Sequence, residues 1–95
     1  MYARITRYKC DPARLEEMTG KIDEVKAQVK QVPGLVTIYS AWRDDGDGVT
    51  VAVYESQADA EAAMPTVQAV WAGLSSLLIE PPSAEAYENV AHLTG

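Results

Sequence analysis

The sequence predicts an α+β domain: an antiparallel four-stranded sheet with two helices on one of its faces. Three observations predict it. The 95 residues have room for one core and no second, so one domain is expected over 1–95. Hydrophobic periodicity alternates between about two and three to four, in the order strand, helix, strand, strand, helix. The third strand, "VTVAVY" (Val49 to Tyr54), is β-branched at alternate positions and apolar toward both faces. That pattern suits a central strand covered on both sides.

Residues 2–9, "YARITRYK", alternate loosely and carry Tyr, Ile and Thr, which reads as the first strand. Asp11 is placed to cap the helix that follows, and Pro12 suits its first turn, where a backbone N–H would lack a partner anyway. Leu15, Met18, Ile22, Val25, Val29 and Val32 then recur at spacings of three and four, one apolar stripe on an otherwise charged helix. Pro33-Gly34 ends it. Residues 35–42, "LVTIYSAW", make the second strand, and "RDDGDG" (43–48) the turn, with positive φ expected at Gly46 and Gly48. "VTVAVYE" completes a hairpin.

Ser56 opens the second helix, with Asp59 three residues on in a capping-box-like pattern. Its stripe runs Ala60, Ala63, Met64, Val67, Val70, Trp71, Leu74, Leu77 and Leu78, and Pro65 is expected to divide it near Met64. Local pattern in the tail "SAEAYENVAHL" favours helix. Topology argues the other way, because a last strand completes the split βαβ arrangement. The expectation here is therefore a strand.

A formal charge of −6 with scattered Lys and Arg speaks against a nucleic-acid backbone or an anionic membrane as partner. Cys10 is the one cysteine, so no intramolecular disulfide forms, in keeping with a reducing compartment. The N-terminus has no apolar run of a secretory signal. The uncharged stretch from Ala62 to Ile79 is broken by Pro65, Thr66, Gln68, Gly73, Ser75 and Ser76, which reads as a soluble helix. A cytoplasmic protein is expected.

Two helices cover one face of such a sheet. The other would expose one side of "VTVAVY" and half of "LVTIYSAW", a patch too apolar for a soluble monomer. A second copy is the simplest cover. Two sheets face to face give a two-fold homodimer with a barrel-like centre.

The strand-helix order, "VPGLVTIYSAW", the "YES" that leads into a divided helix, and the double proline before "AYENV" together resemble the dimeric α/β-barrel superfamily. Within it the chain is most similar to antibiotic-biosynthesis-monooxygenase-like (ABM) domains. The resemblance implies a ferredoxin-like βαββαβ fold and a homodimer joined through the sheet face. It also implies a site between sheet and helices, since the family includes cofactor-independent oxygenases of phenolic or quinol-type compounds. Tyr54 matches the family's aromatic position before Glu-Ser, and Trp71 lies on the helix that roofs the cleft. Arg4, Thr6, Tyr39 and Tyr87 would add polar groups from other strands. Each has a structural reading beside the functional one: Trp71 and Tyr54 as core, Arg4 as one half of an ion pair.

The haem-degrading branch of the superfamily requires a histidine on the second helix and an Asn on the first strand. Residues 56–79 hold no His, the first strand holds no Asn, and the one histidine is His92 near the end. "RDDGDG" fails as a calcium loop, because aligning Gly48 on that loop's glycine puts Arg43 and Tyr54 at ligand positions. There is no phosphate loop, metal-ligand cluster or Ser-His-Asp set. No metal and no cofactor are expected. Two functions stay open: a cofactor-independent monooxygenase, and a non-catalytic dimer that binds a hydrophobic small molecule or serves as an interaction module.

Overall fold

The computed structural model describes Met1–Gly95. Four strands, β1 (Tyr2–Lys9), β2 (Leu35–Trp42), β3 (Asp47–Tyr54) and β4 (Ser83–Tyr87), form one antiparallel sheet in the order β2-β3-β1-β4. Strands β1 and β3 are central, as the two-sided apolar character of "VTVAVY" requires. The tail contributes the edge strand β4, so topology outweighs its local helical pattern.

The first helical region starts where expected: the Asp11 carboxylate accepts from the Ala13 N–H at 3.0 Å over a single 3-10 turn, Pro12–Arg14. It then divides into α1 (Leu15–Gly20) and α2 (Ile22–Val29) rather than running unbroken. The Thr19 hydroxyl donates to the Leu15 carbonyl at 3.0 Å, a back-bond that bends helices, and the weak helix former Gly20 follows. The second region divides near Met64, as Pro65 dictates, into α3 (Gln57–Ala62) and α4 (Met64–Leu74). Ser56 accepts from the Asp59 N–H at 3.2 Å, forming the expected N-cap.

The hairpin turn differs from expectation at one glycine. Gly46 has φ +96°, but Gly48 lies inside β3 with ordinary strand geometry. Its lack of a side chain serves a neighbour instead. A Cβ at Gly48 would collide with the Tyr8 ring, which crosses the sheet at that point.

Pairing register sorts the sheet into two faces. Ala3, Ile5 and Arg7 share one face with Val49, Val51 and Val53, while Arg4, Thr6 and Tyr8 share the other with Gly48, Thr50 and Ala52. The helices lie over the second face. They do not close down on it. Only 12 of 95 residues are buried, and neither α2 nor α4 contains a fully buried residue. Most of the buried residues form two separate clusters. One joins Tyr2, Ala52 and Tyr54 to Ala60 and Ala63 around α3; the other joins Tyr8 and Cys10 to Met18 and Leu77. Accessible surface is 6222 Å², against about 5,400 Å² for an average monomer of this mass. The surplus matches a hollow centre and an uncovered sheet face.

Candidate functional site

Between the two clusters lies a cavity of about 340 Å³, floored by the sheet and roofed by α1, α2 and α4. That is at the small end of the range for ligand pockets, roughly 300–1,000 Å³. The stripe on the first helical region supplies Met18, Ile22, Val25, Val29 and Val32, and α4 supplies Val67, Val70, Trp71 and Leu74. Spacings of three and four that read as core in the sequence thus line a hollow. Among the lining residues Lys26, Ser40 and Trp42 are exposed, which places the mouth on the β2 side.

The floor carries the polar groups in rows set by the pairing. In one row Thr6, Thr50 and Ser40 lie side by side across β1, β3 and β2. Tyr8, one step further along β1, reaches across side-chain-free Gly48, and its hydroxyl lies 2.9 Å from Ser40 Oγ. Thr50 Oγ1 donates to the same Ser40 oxygen at 3.2 Å. Tyr8, Ser40 and Thr50 form a chain of hydroxyls from the buried floor to the exposed rim. The Trp71 ring packs over Tyr8, with centroids 5.3 Å apart and tilted by 50°. Burial holds the Tyr8 hydroxyl above its ordinary pKa, with the Ser40 hydrogen bond opposing.

The other end of the floor is different. Arg4 sits in a row with Ala86, Ala52 and Ile38, none of them a hydrogen-bonding side chain. Its one side-chain hydrogen bond runs from Nη1 to the Met64 thioether, a weak acceptor. The molecule's two salt bridges, Lys9–Asp47 and Arg14–Glu17, do not involve it. Tyr54, diagonal to Arg4, is 2% exposed and makes no side-chain hydrogen bond, yet no buried side-chain oxygen is left enclosed without a partner. What remains accessible of Tyr54 therefore includes its hydroxyl, at the cavity. Burial raises its pKa, and the charge of nearby Arg4 lowers it in part.

Of the residues singled out in the sequence, Arg4, Thr6, Tyr54 and Trp71 come together around this cavity. Tyr39 and Tyr87 do not. Tyr39 pairs with Val51 and Tyr87 with Ala3, so both sit on the open face, 71% and 45% exposed, and the Tyr87 hydroxyl donates to Glu85. The reason for Tyr39 is a β-bulge between Leu35 and Thr37. Leu35 points to the cavity, and simple alternation would send Tyr39 there too; the extra residue sends Ile38, Ser40 and Trp42 instead. Sequence reasoning missed Tyr8, Ser40 and Thr50. Gly48, opposite Tyr8, was the available signal for the crossing ring. No group of three His, Cys, Asp or Glu side chains converges anywhere to hold a metal, and no helix is long and apolar enough to cross a membrane.

Strand order, two-layer arrangement and the cavity between layers define a ferredoxin-like α+β domain, and more narrowly an ABM-like fold. A Caulobacter crescentus protein provisionally named an antibiotic biosynthesis monooxygenase superposes with a TM-score of 0.80 at 18% identity, over 95% of this chain and 90% of that one. The ActVA-Orf6 monooxygenase of Streptomyces coelicolor, whose structure contains the ligand nanaomycin D, matches at 0.74 and 23% identity, over 97% and 89%. SnoaB of Streptomyces nogalater, a cofactor-independent oxygenase, matches at 0.74 and 19%, over 99% and 97%. These likenesses establish the fold. No family model matches the sequence, and no curated protein matches it.

Proposed function

We propose that this chain, one ABM-like domain over residues 1–95, is a cofactor-independent monooxygenase that works as a homodimer on a phenolic or quinol-type small molecule held in the cavity. The observation that carries the reading is the hollow itself: a sheet-and-helix interior left unfilled, with a tyrosine hydroxyl free at its floor. Trp71 and Leu74 line the space without filling it. The likeness in fold to two oxygenases agrees.

In this reading the ring lies between Trp71 and the floor, with its phenolic oxygen at Tyr8, Ser40 and Thr50. These hydroxyls stabilise the phenolate and lead its proton along the chain to the rim at Ser40. The ionised ring is a carbon nucleophile. It bonds O2 to give a peroxide anion, which takes a proton back through the same hydroxyls, and the hydroperoxide so formed loses water to leave a carbonyl. One phenol and one O2 give one quinone and one water, and no redox cofactor takes part. The apolar walls keep water away from the carbanion. Cover for the open face comes from a second copy, packed on Ile5, Val49, Val51 and Val53.

One observation favours a second reading. The cavity lining contains no His, Asp or Glu to act as general base. A non-catalytic dimer that binds an apolar small molecule needs none. Oxygen uptake by the metal-stripped, flavin-free protein with naphthols and anthrones separates the two. Uptake matched by equimolar quinone is the expected result, with a large loss in Tyr8→Phe. Saturable binding with no uptake would leave the carrier, and absence of binding would sink both.

A further inference from the structure

The distribution of charge around the cavity bears on what enters it. The chain has 14 acidic residues against 8 basic ones, yet not one carboxylate lines the cavity. The charged side chains that do are Arg4, at the floor, and Lys26, at the mouth. An acidic protein thus encloses an apolar hollow whose only charges are positive.

Arg4 is the inner of the two, and its environment is unusual for an arginine. A guanidinium has five N–H donors and is charged at every working pH, so a half-buried one is normally paired with a carboxylate or several carbonyls. Here its one side-chain hydrogen bond goes to the Met64 sulfur. Beside it, the Tyr54 hydroxyl is a donor with no protein acceptor, on a residue 2% exposed. Two donor groups thus lie near each other, the charge of one acting on the other, and no side-chain oxygen of the protein accepts from either.

We infer that Arg4 and Tyr54 form an anion subsite, and that the ligand of this cavity is an apolar molecule carrying a carboxylate. The guanidinium fork matches a carboxylate through two parallel hydrogen bonds, and the tyrosine supplies a third donor. The inference rests on the reading that the cavity takes a small molecule, and it narrows the substrate class. Arg4 and Tyr8 are four residues apart on β1, so the two polar ends of the floor are separated by about 13 Å. A phenolic acid with its carboxylate and hydroxyl at opposite ends of a fused-ring body spans that distance, allowing for the reach of the side chains.

The test is anaerobic calorimetry with two probes of one shape: a naphthol bearing a carboxylate on its far ring, and the same naphthol bearing a hydroxymethyl group there. Hydrogen bonds to a charged partner set the expected preference for the carboxylate at about tenfold or more. Arg4→Gln is expected to bring the two probes within about twofold of each other, Arg4→Lys to keep part of the preference, and Tyr54→Phe to weaken only the carboxylate compound. Because the probe comparison is made first in the native protein, it does not depend on any variant folding.

Equal affinity of the native protein for both probes would overturn the anion subsite while leaving the cavity reading intact. Binding of neither probe, or binding that survives Val70→Trp, a substitution that fills the hollow, would overturn both. Circular dichroism on each variant confirms that the fold is kept.

Discussion

The two faces of the sheet are built from the same four strands and differ in what they leave undone. The helix-covered face carries Arg4, Thr6, Tyr8, Ser40, Thr50 and Tyr54, polar groups spaced across an apolar roof and floor. The open face carries Ala3, Ile5, Arg7, Val49, Val51 and Val53 on its central strands, with Glu85 and Tyr87 on β4. A polar group under a roof is costly unless something answers it, so the first face is the one on which a ligand is proposed. An apolar patch without a roof is the one for which a second copy is proposed as cover. Strand β3 alone shows both, with Thr50, Ala52 and Tyr54 turned one way and three valines the other.

The hardest way to break this contrast is a charge on the open face. Val51→Asp is expected to abolish self-association while leaving the fold, at a cost to the dimer of about 3–5 kcal/mol for a buried unpaired carboxylate. Sedimentation equilibrium measures it, and a native protein that stays monomeric at micromolar concentration would refute the assignment of that face. On the covered side, Leu77 is 1% exposed and anchors the Tyr8–Met18 cluster. Leu77→Ala should cost about 2–5 kcal/mol in urea unfolding, with no effect on association.

Smaller changes sharpen the account of the covered face. Gly48→Ala places a methyl group where the Tyr8 ring lies, so the ring must move and release Ser40. A loss of about 1–3 kcal/mol is expected, with an altered near-ultraviolet signal from the Tyr8–Trp71 pair. Tyr8→Phe keeps the ring and loses only the hydroxyl, for about 0.5–1.5 kcal/mol.

The alkaline limb supplies a last check. Burial raises the pKa of Tyr8 and Tyr54 above the ordinary value of 10.0. The folded protein therefore holds these protons to higher pH than the unfolded chain does. Their contribution is complete below pH 10.0 and is lost as pH rises through the folded values. Stability should fall above that point, less steeply in Tyr8→Phe and in Tyr54→Phe. An unchanged slope in both variants would mean that these hydroxyls are no more buried than in the unfolded chain.

Much of the architecture could be read in one dimension, because it depends on period and punctuation. The stripes of both helical regions, the division at Pro65, the caps at Asp11 and Ser56 and the central place of "VTVAVY" all follow from short-range rules. The tail was legible only through topology: "SAEAY" favours helix locally and becomes a strand because β1 offers it an unpaired edge.

What the sequence determined by itself, then, was the order of elements and which residues are apolar together. Only the tertiary structure decided which face each strand residue serves. One extra residue between Leu35 and Thr37 reverses the facing of Tyr39 and Ser40, and the pairing of Tyr87 with Ala3 turns β4's aromatic outward. Distance between layers is likewise invisible in the pattern. Apolar stripes on two helices look the same whether they close on the sheet or, as here, stand off it around a hollow. Patterning states that a side chain avoids water; packing alone states whether it touches another side chain or a space.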